Sequence, residues 1–246
     1  MNIKILFEDE DLAVLDKPAG TVVNRALSVK DETVQDFVDK NIGLKATAGD
    51  SSEFLSRSGV VHRLDKDTSG VLIVAKNTAS FILLQSLFKE RKINKKYKAL
   101  VHGKVIPDRG EINAPVGRLP WNRERFGVLS EGKEAQTSYR VSSYYEYEKQ
   151  PYSLIEASPY TGRTHQIRVH MKYIGHSIIS DKFYAGRKTY KKDLAFCPRL
   201  FLHASFIMFR HPLKGKNFDI ESMLPEDLLK VLTKMNKVED LDKKAV

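Results

Sequence analysis

The sequence predicts an α+β protein with a core of mixed, mostly antiparallel β-sheet, flanked by helices and loops. Many short segments carry strand-like patterns of apolar residues, and helical segments do not alternate with them regularly. The 246 residues, 41% of them hydrophobic, are enough for one well-packed core. We therefore expect a single domain over residues 1–246, with a flexible loop at 43–58 and a solvated basic tail at about 237–246.

The period of the apolar residues places the individual elements. Alternating or short apolar runs predict strands at 3–7, 12–15, 60–61, 71–74, 97–101, 137–141, 154–157 and 201–209. Helical spacing predicts helices at 34–42, behind an Asp31 cap, and at 77–92. It also predicts a helix that begins at His165, capped by Thr164 and ended by Gly175, and a final helix that Pro225 opens.

The charge balance favours a polyanionic partner. The chain has 41 Lys and Arg residues against 31 Asp and Glu residues, a net charge of +10. A positive field of this sign attracts RNA, DNA or an anionic membrane surface. Excess lysine can also serve solubility alone, and the lysines near the end of the chain fit a solvated tail.

Segments that would direct the chain out of the cytoplasm are not evident. No apolar run approaches the roughly 18 residues of a membrane span, and the first residues lack the basic and apolar regions of a secretory signal. One cysteine, Cys197, excludes an internal disulfide and a Cys-rich zinc site. We expect a cytoplasmic protein without a membrane partner.

A phosphate-binding loop is suggested by Gly127 to Lys133 and then excluded. Glu134 stands where the magnesium-binding Ser or Thr of such a loop belongs. The residues that follow also predict a strand, whereas phosphate binding requires the N-terminus of a helix.

A metal site and a serine nucleophile are also excluded. His165, His170 and His176 are five and six residues apart, so they do not share one helical face. We expect them to be structural or solvent-facing, and we expect no metal. Ser69 lacks the G-x-S-x-G context of a nucleophile, and turn formation explains it better.

The polar loop from His62 to Gly70, with the sequence HRLDKDTSG, lies between two apolar strands. Placing so many polar groups there costs desolvation unless they pair with one another or face a cleft. An ordinary surface turn has the same composition, because Asp, Thr, Ser and Gly all favour turns. Composition alone leaves both interpretations open.

This loop resembles the H-R-L-D-x-x-T-S-G hallmark of the RluA-type family of RNA pseudouridine synthases. Four further segments are similar to motifs of that family, in family order from about residue 5 to residue 228. They are KPAG at 17–20, KYKALV at 96–101, TGRTHQIRVH at 161–170, and LHA at 202–204 with His211-Pro212. The hallmark loop at 62–70 and the arginine motif at 161–170 are together highly specific for this family.

Two positions depart from the family pattern, and one module is not expected. Ser177 stands where the family usually has Pro, and Ser180 where Gly is common. Both positions follow the arginine motif, so the departures put the local loop geometry in doubt rather than the activity. The family often carries an N-terminal S4 RNA-binding module, and the catalytic pattern here begins too early in the chain to leave room for one.

The resemblance implies the pseudouridine synthase fold and the isomerisation of uridine in RNA. That reaction breaks the C1′–N1 bond, turns the uracil and joins C1′ to C5. Nothing is oxidised and no group is transferred, so we expect no cofactor. We expect large-subunit rRNA as the substrate, with tRNA as the second choice, and a monomeric enzyme.

The resemblance also assigns catalytic roles to three residues. Asp65 is the implied nucleophile, and attack at C6, attack at C1′ and elimination at the sugar all remain open. Burial would tend to protonate that carboxylate, and Arg168 is its implied ion-pair partner, which keeps it ionised. Tyr97 presents an aromatic face to the base or ribose, unless it serves only core packing.

Substrate contacts are implied for four further residues. Arg63 resembles the arginine that takes the space of the flipped base or braces the RNA. Leu202 resembles the apolar contact beneath the base, a role that can coincide with core packing. His62 and Thr68 lie in the same hallmark loop as the nucleophile and are expected at the substrate site.

Two basic segments are candidates for phosphate contacts, namely Lys89–Lys98 and Arg118–Arg125. The second contains Trp121, which can stack on bases. A solvated charged face explains either segment as well.

Two other classes of function compete with uridine isomerisation. One is an RNA-binding ribosome-assembly factor on the same fold with little or no catalysis, which the intact catalytic set opposes. The other is a nucleoside or glycoside hydrolase that uses Asp65 with Asp67. Neighbouring loop carboxylates are poorly placed to flank a sugar, and the basic charge does not suit that reaction.

Overall fold

The computed structural model describes residues 1–45 and 52–238, which fall into two compact units. The first unit contains Met1–Lys95 and Ala204–Met223, and the second contains Lys96–His203 and the residues from Leu224 onward. In chain order the strands are β1 (Lys4–Glu8), β2 (Leu12–Lys17), β3 (Ser69–Ala75), β4 (Asn94–His102), β5 (Arg109–Asn113), β6 (Val116–Leu119), β7 (Asn122–Val128), β8 (Gln136–Tyr147), β9 (Gln150–Pro159), β10 (Leu202–Arg210), β11 (Asn217–Glu221) and β12 (Asn236–Val238).

The helices are short and few compared with the strands. They are α1 (Val34–Asn41), α2 (Ser52–Ser56), α3 (Thr78–Lys89), α4 (Gln166–Tyr173), α5 (Arg187–Asp193) and α6 (Glu226–Thr233). In the described part of the chain, none of them has the length and apolar character needed to cross a membrane.

The first unit is built on the strand order β1-β2-β3-β10, with β11 paired to β10. The β1–β2, β2–β3 and β10–β11 pairings are antiparallel. Every residue of β3 is buried, as expected for an apolar run without polar alternation. The core beneath it includes Val71 and Ile73 of β3, Phe81 and Leu84 of α3, and Phe209 of β10.

The second unit is built on the strand order β4-β9-β8-β12, with β5 paired to β8. All four of these pairings are antiparallel. Its core joins Leu100 of β4 and Ile155 of β9 with Ile167 and Met171 of α4 and Leu228 of α6. A separate two-stranded sheet is formed by β6 and β7. The predicted α+β class with a mostly antiparallel sheet is therefore confirmed.

Two predicted helix caps are wrong. Helix α1 is capped by Thr33, whose hydroxyl accepts from the Asp36 N–H while the Asp36 carboxylate accepts from the Thr33 N–H. This reciprocal pair satisfies two backbone donors, which the predicted Asp31 cap would not do. Helix α4 begins after His165, a left-handed residue with φ 58°, so Thr164 is not its cap.

Three segments differ from the predicted loops and strands. The 60–61 segment forms only an isolated bridge, between Val60 and Val74. The predicted loop at 43–58 contains α2, because Phe54 is fully buried and draws its neighbours onto the core. Residues 237–238, predicted as tail, belong to β12, which pairs with β8. The remainder of both predicted segments, 46–51 and 239–246, lies outside the described residues.

The loop that carries the family hallmark is held at its entry by His62. Its Nε2 accepts a hydrogen bond from the Ile73 N–H of β3 at 2.9 Å, and its ring lies 4.5 Å from that of Phe88. Burial, with the nearby positive charges of Lys95 and Arg57, lowers the pKa of His62 to about 3. The imidazole is therefore neutral and acts as a hydrogen-bond acceptor in the fold.

The same loop is held at its exit by Gly70, the second residue of β3. Its φ of 113° is a backbone angle that residues with a Cβ rarely adopt. A Cβ at this position would lie 2.1 Å from the carbonyl oxygen of Ala204 in the same unit. The glycine is thus required both by the backbone conformation and by the close approach of β10.

We expect Gly70→Ala to destabilise the protein by about 3 kcal/mol, the sum of left-handed strain and overpacking. Gly43→Ala is the matched control, because a Cβ at Gly43 meets nothing within 4 Å. Urea unfolding of both variants measures the effect. Equal stabilities would show that β10 does not constrain the loop exit.

We expect acid to weaken the fold through His62. Its pKa of about 3 in the folded protein lies below the usual histidine value of 6.5, so below pH 6.5 the unfolded chain binds the extra proton first. The unfolding free energy should then fall by about 1 kcal/mol per pH unit between about pH 6.5 and 5. His62→Gln keeps an acceptor for Ile73 but cannot be protonated, and urea unfolding across this range should show a shallower pH slope. Identical pH slopes for wild type and His62→Gln would contradict a neutral, buried His62 in the folded protein.

Candidate active site

The hallmark loop is clamped to the KPAG turn by a buried lysine. Lys17, at the end of β2, is 0% exposed, and its Nζ donates to the carbonyls of Pro18, Thr21 and Lys66 at 2.8–3.0 Å. The Gly20 N–H donates to the same Lys66 carbonyl at 2.8 Å. Because Lys66 directly follows Asp65, these bonds fix the backbone beside the predicted nucleophile.

Asp65 lies in a tight turn with buried neighbours. Its carbonyl accepts from the Thr68 N–H at 3.1 Å, while Leu64 and Thr68 are both almost fully buried. The Asp65 residue itself is half-buried, and Arg63 of the same loop is exposed. The backbone that carries the Asp65 carboxylate is therefore held in place by buried neighbours and hydrogen bonds.

In the second unit, Arg168 is held by a buried carboxylate that sequence analysis missed. Arg168, on α4, is 3% exposed, and Asp181 is 0% exposed. The Arg168 Nε donates to Asp181 Oδ2 at 2.8 Å, and its Nη2 donates to Oδ1 at 2.9 Å. Two parallel charge-assisted bonds fix the plane of the guanidinium as well as its position.

Aromatic rings pack against the same guanidinium. The Arg168 Cζ lies 5.4 Å from the ring centroid of Phe183 and 5.2 Å from that of Tyr184. The N–H groups of both aromatic residues donate to Asp181 Oδ1, at 2.9 and 3.1 Å. Asp181 therefore positions the guanidinium and the rings that pack against it together.

The loop that leads into α4 is fixed to β8 by Gln166. Its Oε1 accepts from the Thr161 hydroxyl at 2.6 Å and from the Arg163 N–H at 3.0 Å. Its Nε2 donates to the Gln136 carbonyl and to the Thr137 hydroxyl. These hydrogen bonds hold the loop of the arginine motif in place. They thereby fix the start of α4 and the position of Arg168 on it.

Tyr97 and Leu202 both belong to the second unit, although β10 continues from Leu202 into the first. Tyr97 of β4 pairs with Ala157 of β9, and its half-buried side chain packs against the core. Leu202, the first residue of β10, is 3% exposed and belongs to that core. The packing role expected for both residues is present, and their substrate contacts stay predictions.

The predicted site residues fall into two groups, one in each unit. The hallmark loop of the first unit brings together four of them: His62, Arg63, Asp65 and Thr68. The second unit carries the other three: Tyr97, Arg168 and Leu202. The expected ion pair between Asp65 and Arg168 joins residues of different units and stays a prediction.

Sequence analysis missed the supporting residues Lys17, Asp181 and Tyr184. Lys17 is part of the KPAG segment, and nothing in the sequence indicates that its ammonium is buried. Asp181 follows Ser180, which departs from the Gly common in the family, and nothing in the sequence pairs its carboxylate with Arg168. Ser180 has φ 55°, a left-handed conformation that Gly adopts without strain.

The three histidines expected to be structural or solvent-facing, His165, His170 and His176, form hydrogen bonds within the fold. His170 is fully buried between the Thr137 hydroxyl and the Ala114 carbonyl, both at 2.9 Å, and burial lowers its pKa. The His165 Nδ1 contacts the Tyr184 hydroxyl at 2.8 Å, and the His176 Nδ1 contacts the His102 carbonyl at 2.8 Å.

One cluster in the described residues has ligand types suited to a metal, and its hydrogen bonds oppose that use. Asp9, Asp11 and His211 each place one ligand atom within 4.8 Å of the others. The His211 Nδ1 accepts from the Lys214 N–H, so Nε2 carries the proton that it shares with Asp9 Oδ2 at 3.0 Å. The Lys214 ammonium, 2.6 Å from the same oxygen, already neutralises that carboxylate.

Comparisons with known proteins agree with the geometry. A family model described as RNA pseudouridylate synthase matches residues 11–173. An uncharacterised RNA pseudouridine synthase of Bacillus subtilis, YlyB, is 38% identical over 96% of this chain and 74% of its own length. The ribosomal large subunit pseudouridine synthase D of Zymomonas mobilis is 40% identical over 92% of this chain and 70% of its own length.

A solved structure supports the same conclusion. Human RNA pseudouridylate synthase domain containing 1 is 26% identical and superposes with a TM-score of 0.72, over 99% of this chain and 93% of its own. The sequence resemblance and the fold expected from it are therefore confirmed. The chain belongs to the RNA pseudouridine synthase family, in its RluA-type branch, and is an isomerase that acts on RNA.

Proposed function

We propose that this enzyme converts specific uridines of structured RNA to pseudouridine, with large-subunit ribosomal RNA as its substrate. Relatives from Zymomonas mobilis and Pseudomonas aeruginosa, 40% and 37% identical, are named ribosomal large subunit pseudouridine synthase D. Those names favour rRNA over tRNA, the second choice from the sequence. The expected cytoplasmic location, monomeric state and lack of a cofactor stay predictions.

The proposed nucleophile is Asp65, and the observation that carries this proposal is the clamped loop around it. Lys17 binds the carbonyl of Lys66, next to Asp65, together with the carbonyls of Pro18 and Thr21, and a family match covers this loop. Attack at C6, attack at C1′ and elimination at the sugar all use the same ionised carboxylate. In each route the C1′–N1 bond breaks, C1′ bonds to C5, the C5 hydrogen leaves to water as a proton, and N1 takes up a proton from water.

Arg168 is proposed to keep the Asp65 carboxylate ionised in the RNA-bound enzyme. A guanidinium stays protonated when buried, and it presents its donors in a rigid plane. Asp181 binds Nε and Nη2, so the orientation of the whole group is set before substrate arrives. Asp181 is accordingly a positioning residue that acts through Arg168.

Access to the target uridine requires the base to leave its stack, at a cost of a few kcal/mol. We assign the space left by the base to Arg63, whose exposed side chain stands two residues before Asp65. Tyr97 and Leu202 are assigned to the uracil, as an aromatic face and an apolar contact. His62 and Thr68 are expected beside the substrate, although their observed contacts support the loop itself.

Isomerisation can be followed with RNA tritiated at C5 of uridine, because the reaction releases that hydrogen to water. We expect wild type to release label and Asp65→Asn, with a melting temperature near that of wild type, to release none. Lys237→Ala, in an exposed position of β12, is the control and should match wild type. RNA binding without release by wild type would instead support an assembly factor.

The role of Asp181 can be separated from its contribution to stability. We expect Asp181→Asn to bind RNA normally but to release label at least about tenfold more slowly, equivalent to about 1.4 kcal/mol of barrier. An Asn amide would present a donor to the Arg168 donors and misorient the guanidinium. Asp193→Asn removes an equally buried carboxylate that contacts Ser180 and His102 and is the matched control.

Single-turnover release, RNA affinity and melting temperature should be measured for both variants. Similar release rates for the two would contradict a positioning role for Asp181. If Asp181→Asn does not fold, Arg168→Met combined with Asp181→Asn removes both buried charges at once. That double variant should release label no faster than Arg168→Met alone.

A further inference from the structure

The β6–β7 hairpin of the second unit carries an aromatic side chain that the core does not use. Trp121, in the turn between the strands, is 77% exposed and is the single tryptophan of the chain. Tryptophan loses favourable burial when it stands in water, and large exposed apolar groups often mark contact sites. The proposed chemistry at Asp65 and Arg168 gives this indole no role.

The charges around Trp121 suit a polyanion. Arg118 and Arg123 are exposed, and Arg125 is half-buried. Across residues 1–45 and 52–238, none of these three arginines forms an ion pair with a carboxylate. The guanidinium of Arg118 instead lies 5.0 Å from the ring of Phe126, and its Nη1 donates to the Arg123 carbonyl at 2.6 Å. Arginines placed without carboxylate partners can bind phosphates at little cost.

The base of the hairpin is fixed to the elements that hold Arg168. The Phe126 N–H donates to the Tyr184 hydroxyl at 3.0 Å, and Tyr184 also packs against the Arg168 guanidinium. Phe126 and Val128 of β7 pack with Val116 and with Val169 of α4. The turn that carries Trp121 is therefore attached to a buried, braced part of the unit.

We propose that this hairpin is an RNA-binding arm, in which Trp121 stacks on an unpaired base of the substrate and Arg118 and Arg123 bind the neighbouring phosphates. The inference rests on the proposed function, which supplies RNA as the substrate. Unpaired bases offer a free face to an aromatic side chain, whereas bases inside a duplex are already stacked. The arm therefore recognises single-stranded nucleotides.

Fluorescence of the full chain tests the proposal directly, because all tryptophan emission comes from Trp121. We expect a short single-stranded uridine-rich RNA to quench the emission saturably. The fully base-paired duplex of the same strand should quench it less. Unchanged emission while a filter assay detects RNA binding would overturn the proposal, as would quenching by anionic phospholipid vesicles and not by RNA.

Variants separate stacking from general binding. We expect Trp121→Ala to weaken single-strand affinity roughly 5- to 100-fold, the range of one base–aromatic stack, and Trp121→Phe to restore most of it. Met223→Ala, at a position that is 79% exposed, is the control and should bind as wild type does. Arg123→Ala should lower the salt dependence of binding by about 0.7 in slope, the loss of one phosphate contact.

The outcome distinguishes this inference from the proposed function. Wild-type affinity and wild-type release of C5 tritium by Trp121→Ala would overturn the arm and leave the isomerase intact. Saturable quenching by RNA in a wild-type protein that releases no tritium would support the arm and contradict the isomerase function.

Discussion

The buried pair of Arg168 and Asp181 is the interaction on which the second unit's site depends. A guanidinium that is 3% exposed must be matched by a carboxylate, because an unpaired buried charge costs several kcal/mol. Asp181 supplies that match and also binds the backbone of the two aromatic residues that pack against Arg168. One carboxylate thus ties helix α4, the turn that follows it and, through Tyr184, the β6–β7 hairpin into a single rigid arrangement.

The first unit also contains a buried cation, and there backbone carbonyls take the place of a carboxylate. Lys17 is a buried cation surrounded by backbone carbonyls, and these contacts draw the KPAG turn onto the residue after Asp65. Gly70 and His62 then connect the two ends of the loop to the sheet. In both units a buried cation has a partner that is distant in sequence, Lys66 for Lys17 and Asp181 for Arg168. A site that is ordered before substrate binds leaves more of the binding energy for the base extrusion that we propose.

Much of the fold followed from the sequence, because strands with strong apolar patterns, such as β3 and β10, are decided by local periodicity. The hallmark loop was also predicted, through resemblance to a family, while the role of its carboxylate, Asp65, stays a prediction. Tertiary contacts could not be predicted in this way: Arg168 and Asp181 are 13 residues apart, and no period links them. The prediction of Asp31 as a helix cap was wrong for a related reason. Thr33 caps the helix because it forms reciprocal hydrogen bonds with Asp36, and composition alone does not distinguish the two candidates.

Asp65 is the proposed nucleophile for the isomerisation of a uridine in large-subunit ribosomal RNA. Pseudouridine maps of that RNA should be compared between cells with the gene, cells without it, and deleted cells that express Asp65→Asn. We expect at least one pseudouridine that disappears on deletion, returns with the wild-type gene and stays absent with Asp65→Asn. Identical maps with and without the gene, or a site restored by Asp65→Asn, would contradict it.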